Sequence, residues 1–206
     1  MLLTLGWTGG IASGKTTALD LLCQIARLEV LDADRLGHEL LREPQVRDAV
    51  LELCGRDLDD GAGGIDRRLL GKRVFADKEL LARYNRLVHP PMMERIRQAV
   101  EKARGSNDAE AFAVDAALIF EWGLGRLFDA VVVVRAAQGL AMKRLMRQGL
   151  SEAEARQRLG SQLREEVKVQ RADFVIIDDN DLEALGRRVR FLWEHQLAPL
   201  KRARAT

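Results

Sequence analysis

The stretch Gly6–Leu22, GWTGGIASGKTTALDLL, contains Gly9-x-x-x-x-Gly14-Lys15-Thr16. This is the G-x-x-x-x-G-K-[ST] spacing of a phosphate-binding loop. Glycines permit a loop whose backbone N–H groups converge on phosphate oxygens. The helix behind the loop adds its unbonded first amides and its positive dipole end. Nucleotide phosphates are therefore expected against Gly10, Ile11, Ala12, Ser13, Gly14, Lys15, Thr16 and Thr17. Lys15 would bring a point charge to the β- and γ-phosphates, and Thr16 a hydroxyl for Mg²⁺. The alternative is a chance glycine-rich turn. The context opposes it, because an apolar strand precedes the motif and an amphipathic helix follows it.

Two carboxylates follow in LDADR, Asp32 and Asp34. At the C-terminal end of a second strand they would stand where open α/β sheets bind ligands. On an extended chain, side chains two residues apart leave the same face. One could then take or orient the proton of an attacking hydroxyl, while the other helps to hold water on Mg²⁺. Capping a helix is the plainer role for either. Asp115 ends the third apolar strand in AFAVDAAL. It reads as a metal-side partner, with a simple strand-end cap as the alternative.

Arg144 and Arg147 lie three apart, which puts them on one face of a helix. Ser151 and Glu154 match a capping box that opens another. A helical hairpin with arginines at its base could close over a γ-phosphate, spread transition-state charge and exclude water. Solvated charged helices are the other reading.

Five apolar runs must position these residues: Leu2–Leu5, Val30–Leu31, Ala111–Val114, Ala130–Val134 and Phe174–Ile177. They are continuous and rich in Val and Ile, as in strands buried on both faces of a parallel sheet. Helical periodicity separates them, so a doubly wound α/β fold is expected. Two stretches are too long for simple crossovers. One, residues 35–104, reads as helices broken at DDGAGG and at HPP; the other, residues 136–171, is the lid candidate. The expectation is one domain, with core segments near 1–34, 105–135 and 172–206. RGSND, residues 104–108, reads as an exposed loop.

The chain has 206 residues, a net charge of +2 and two cysteines. That charge implies no general nucleic-acid or membrane surface. Two cysteines far apart give neither a disulfide framework nor a metal spacing. With no signal-peptide pattern and no apolar run of spanning length, a cytoplasmic protein is expected. No Asn-Lys-x-Asp guanine motif follows a central strand, and a motor needs more chain. A phosphotransferase acting on a small acceptor is the reading that remains.

The ordered motifs resemble the dephospho-coenzyme A kinase family over nearly the whole length. GWTGGIASGKTT is similar to its GLTGGIGSGKST, LDAD to its IDAD, and GGIDRRLLGKRVF to its G-x-I-D-R-x-x-L-G-x-x-V-F. NRLVHPP, VDAALIFEWGL, RLMRQGLSEAEARQRLGSQ and KVQRADFVIID continue the series. The resemblance implies ATP and dephospho-CoA as substrates, with the ribose 3′-hydroxyl phosphorylated to give coenzyme A and ADP. It implies Lys15, Asp34 and Arg144 as catalytic residues, with Arg147 near ATP. Residues 35–104 become the acceptor-binding insertion, with Arg67 and His89 in it. A packing role for His89 stays open. Thr16, Asp32 and Asp115 would serve Mg²⁺.

Five departures stand out. Ala12 replaces a loop glycine and is harmless only at an ordinary φ. His38 stands for an arginine, Ala117 for a proline and Ala141 for a glutamine. IIDDND replaces an Asn-containing turn, which leaves Asn180 a loose match. Shikimate or nucleoside monophosphate kinase is the alternative within enzymes. A nucleotide-dependent protein-binding module is the alternative outside them.

Overall fold

The computed structural model describes residues 2–106, 108–137 and 139–203, so Asn107 of the expected loop lies outside the described residues. The chain forms two compact units, one of residues 1–31 with 99–206 and one of residues 32–98. The second covers most of the stretch expected as an insertion.

The first unit is built on a five-stranded sheet, β1 (Leu3–Gly9), β2 (Leu28–Asp32), β3 (Ala111–Asp115), β4 (Ala130–Ala136) and β5 (Phe174–Asp178), in the order β2-β3-β1-β4-β5. β1 pairs in parallel with β3 and β4, and β4 in parallel with β5. Every β1 residue is buried. Leu3, Leu5 and Trp7 alternate onto one face, where they pack with Ala113, Val132 and Val134 against helices α1 (Lys15–Cys23) and α9 (Leu182–Leu192). β1 does not end at Gly6. β3 carries the ladder to Trp7 and β4 carries it on to Gly9, which faces Val134, so Gly6 is a ladder residue rather than a turn. The chain turns from one side of β1 to the other there, and its C-terminal end is the switch point where such sheets bind ligands.

The second unit contains α2 (Ala33–Leu40), α3 (Pro44–Cys54), α4 (Arg67–Ala76) and most of α5 (Lys78–Arg104). HPP does not interrupt the chain as expected: α5 runs through Pro90 and Pro91 for 27 residues. A proline costs a helix one amide bond and a clash. Here Val88, Met92, Ile96 and Val100, spaced by four, are all buried. That continuous apolar stripe offsets the local cost.

The expected lid stretch forms α6 (Leu140–Arg147), α7 (Glu152–Leu159) and α8 (Glu165–Arg171). The capping box is present: Ser151 Oγ accepts from the Glu154 N–H, and the Glu154 carboxylate accepts from the Ser151 N–H. α10 (Ala198–Ala203) closes the described chain. Among the described residues no helix is long and apolar enough to cross a membrane.

Candidate active site

The loop between β1 and α1 is held by close backbone approach. A side chain at Gly9 would collide with the Val134 carbonyl. Gly14, at φ 88°, is the N-cap of α1, and its Cα lies so close to the Asp178 carboxylate that a Cβ has no room. The first α1 amide bonded along the chain is that of Ala18, to the Gly14 carbonyl at 3.0 Å. The Thr16 and Thr17 amides before it have no acceptor among the described residues. Ser13 Oγ is buried without a partner. Together these form a cradle of unsatisfied donors at a positive helix end, which is what an anionic ligand needs. Trp7, fully buried, fixes the start of the helix: its indole N–H donates to the Lys15 carbonyl at 3.0 Å.

Lys15 Nζ forms a close ion pair with Asp115 Oδ1. Asp115 thus serves as a partner for the loop lysine, a role its position at a strand end alone did not show. Asp115 is buried, with about a tenth of its side chain exposed.

Arg144, on α6, donates to the Ala12 carbonyl at 3.1 Å and to Asn180 Oδ1 at 3.3 Å, and pairs with Asp178 Oδ2 at 2.7 Å. Ala12 (φ 58°) and Asn180 (φ 72°) are the two non-glycine residues with positive φ among those described. Ala12 therefore sits in the left-handed region that alanine disfavours. The ordinary φ that would make it harmless is absent. One guanidinium holds both strained residues. Arg147 is exposed at the end of α6.

In the second unit Asp32 caps α2, and its carboxylate accepts from the amides of Asp34 at 2.8 Å and Arg35 at 3.2 Å. Those bonds start the helix at Ala33, so Asp34 is helical and exposed. The extended-chain argument for a shared face does not hold. The Asp34 carboxylate has no hydrogen-bond or ion-pair partner among the described residues, and its charge acts on His38. A cavity of about 350 Å³ opens beside α2, lined by Arg35, His38, Arg42, Asp60 and Arg67 among others. Asp60 Oδ1 accepts from the amides of Ala62 and Gly64, and Glu39, also in the lining, pairs with Arg35, whereas Arg42 and Arg67 have no hydrogen-bond or ion-pair partner among the described residues. Three arginines against two carboxylates leave the lining one positive charge in excess. His38 is held below the usual histidine range by burial and then by the Arg67 charge. His89, half-buried within α5, is lowered by burial.

The functional reading of the residues missed Asp178, which ends an apolar strand just as Asp115 does and could have been found by that signal. It also gave no role to Trp7 and Lys168, although both lie inside quoted motifs, GWTGGIASGKTT and KVQRADFVIID. Among the described residues no cluster of three or more His, Cys, Asp or Glu can hold a metal ion.

The family model for dephospho-CoA kinase matches residues 3–184. The dephospho-CoA kinase of Chlorobaculum tepidum is 35% identical over 200 residues, 95% of each chain. The structure of dephospho-CoA kinase from Campylobacter jejuni superimposes with a TM-score of 0.72 at 26% identity, over 97% of this chain and 99% of that one. A shikimate kinase from Bacteroides thetaiotaomicron, 13% identical with a TM-score of 0.52 over 94% of this chain and 98% of its own, shares the fold. On its matched length, its phosphate loop and its relatives, this chain belongs to the dephospho-CoA kinase family.

Proposed function

We propose that this chain transfers the γ-phosphoryl group of ATP to the ribose 3′-hydroxyl of dephospho-CoA, giving ADP and coenzyme A, the last step of coenzyme A synthesis. The family match across residues 3–184 carries this reading. The loop cradle supports it independently of resemblance.

ATP phosphates take the amides from Gly10 to Thr17. Lys15 exchanges Asp115 for the β- and γ-phosphates, and Arg144, with Arg147, meets the transferring group. Little covalent work falls to the protein in phosphoryl transfer, so positioning and charge do most of it. Asp34, exposed and unpaired, accepts the proton of the ribose hydroxyl. The acceptor lies over the second unit, with its phosphates toward Arg67 in the cationic cavity and His89 near its other parts. His38 there adds a second donor where the family has arginine.

Oxygen donors suit Mg²⁺, and those here fit it: the Thr16 hydroxyl at the start of α1 and the carboxylate of Asp115. Asp32 would contribute through water while capping α2. When bound, Mg²⁺ would neutralise phosphate charge. A cytoplasmic location and small-molecule partners alone, with no nucleic acid or membrane, belong to the same reading.

The test is to mix the chain with Mg-ATP and, separately, dephospho-CoA, shikimate or nucleoside monophosphates. ADP should form rapidly with dephospho-CoA alone. Faster ADP release with another acceptor would replace the assignment, and no acceptor-stimulated release would favour a binding module.

A further inference from the structure

Lys168, on α8, is 0% exposed. Lysine is almost never fully buried unless paired, because taking its charge out of water is costly. Its ammonium has three N–H donors. The three oxygens within reach are the Ala117 carbonyl at 2.6 Å, Glu121 Oε1 at 3.1 Å and Gln162 Oε1 at 3.4 Å. Each belongs to a piece of the first unit that bears on phosphate chemistry. Ala117 lies in the turn after β3, two residues beyond Asp115, the partner of Lys15. Its carbonyl also accepts from Thr8 Oγ1 at 3.2 Å, and Thr8 directly precedes the loop glycine Gly9. Gln162 lies in the connection between α7 and α8. Glu121 grips the same connection through the Leu163 amide at 2.9 Å.

One buried ammonium therefore ties the base of the lid stretch to the strand end that leads into the phosphate loop and to the turn that follows Asp115. Packing alone does not call for a charge here. A pair of this kind can be replaced by apolar groups of similar volume at little or no cost to stability. What an apolar residue lacks is direction: it cannot hold a particular carbonyl at hydrogen-bond distance.

We infer that Lys168 is a positioning residue for phosphoryl transfer, which sets the lid base and the Asp115–Lys15 pair in register with the phosphate loop. It touches no substrate and acts through Ala117 and Glu121. The inference rests on the kinase reading above.

The test compares the wild-type chain with Lys168→Met and with Lys168→Met/Glu121→Gln. The double variant leaves no lone buried charge, and the side-chain amide oxygen introduced by Glu121→Gln can still accept from the Leu163 N–H. For each, kcat and KM are measured with Mg-ATP and dephospho-CoA, together with the Kd of ADP and Tm. The double variant should keep its ADP Kd within ~2-fold and its ATP KM within ~3-fold, while kcat falls ~10-fold or more, the scale expected when a reacting group is misplaced by a fraction of an ångström to an ångström. A kcat equal to wild type with normal ADP binding overturns the inference and leaves Lys168 a packing residue. If neither Lys168 variant folds, Thr8→Val decides. It removes the other bond to the Ala117 carbonyl, and an unchanged kcat there overturns the inference, whereas a fall of ~3-fold or more at constant ADP Kd supports it. A wild-type chain with no transfer to dephospho-CoA overturns the kinase reading and this inference with it.

Discussion

Ala12→Gly should stabilise the protein, although it removes a methyl group and loosens the unfolded chain. Ala12 has φ 58°. The left-handed region costs a non-glycine residue roughly 1–2 kcal/mol, because Cβ crowds the following carbonyl. Glycine relieves that strain but brings an unfolded-state entropy cost of about 0.4–1 kcal/mol. The difference leaves a net gain of about 0.5–1 kcal/mol. For a chain of 206 residues this amounts to a rise in Tm of roughly 1–4 °C. The Ala12 carbonyl that accepts from Arg144 belongs to the backbone, so the bond survives the change. Gly14→Ala is the matched opposite. At φ 88° the new Cβ is strained, and it runs into the Asp178 carboxylate, so a loss of more than ~1 kcal/mol is expected. Thermal melts followed by circular dichroism, with nucleotide absent, read both variants. A Tm for Ala12→Gly at or below wild type would refute the left-handed conformation of Ala12 and the strain argument built on it.

Two further outcomes follow from the site and its surroundings. Asp34→Asn should lower kcat by ~10²–10⁴-fold, the usual size of a lost general base, with the Kd of ATP little changed by calorimetry; near-normal turnover would remove Asp34 from the chemistry. Tyr84, the single tyrosine of the chain, is pushed up to about 12 from 10.0, chiefly by burial. Because the folded value lies above the unfolded one, Tyr84 contributes its full share of stability below pH 10 and loses it as pH rises through 12, at up to ~1.4 kcal/mol per pH unit. Absorbance at 295 nm should therefore show no tyrosinate at pH 10.5 while the protein remains folded, and half-ionisation there would contradict the burial.

The five strands were legible as continuous apolar runs; β1, β3 and β4 are buried as such runs require, whereas the edge strands β2 and β5 leave Val30, Val175 and Ile177 exposed, so burial on both faces does not hold for them. The capping box was legible because it is a purely local pattern whose two bonds span three residues. Features that depend on distant neighbours were not. The extension of β1 to Gly9 comes from strands more than a hundred residues away. The passage of α5 through two prolines comes from an apolar stripe that outweighs a local breaker. By spacing alone Asp32 and Asp34 form one extended pair, yet the Asp32 carboxylate starts the helix that separates them. The loop residues Gly9 to Thr16 lay open in one motif, while the groups that brace them, Trp7, Asp178 and Lys168, are ordinary residues until the fold brings them to the loop. For Ala12 the sequence posed the right question about φ, and the answer came from Arg144, 132 positions along, which bonds the carbonyl of the strained residue.

The central claim is regiospecific transfer to one ribose hydroxyl, and the position of the new phosphate tests it directly. The chain is incubated with Mg-ATP and dephospho-CoA, and the product is isolated and examined by phosphorus NMR and mass spectrometry. The account predicts one added phosphate, as a monoester on the ribose 3′-oxygen, in step with the ADP formed. A phosphate elsewhere on the acceptor, or ADP formed without any phosphorylated acceptor, would contradict it.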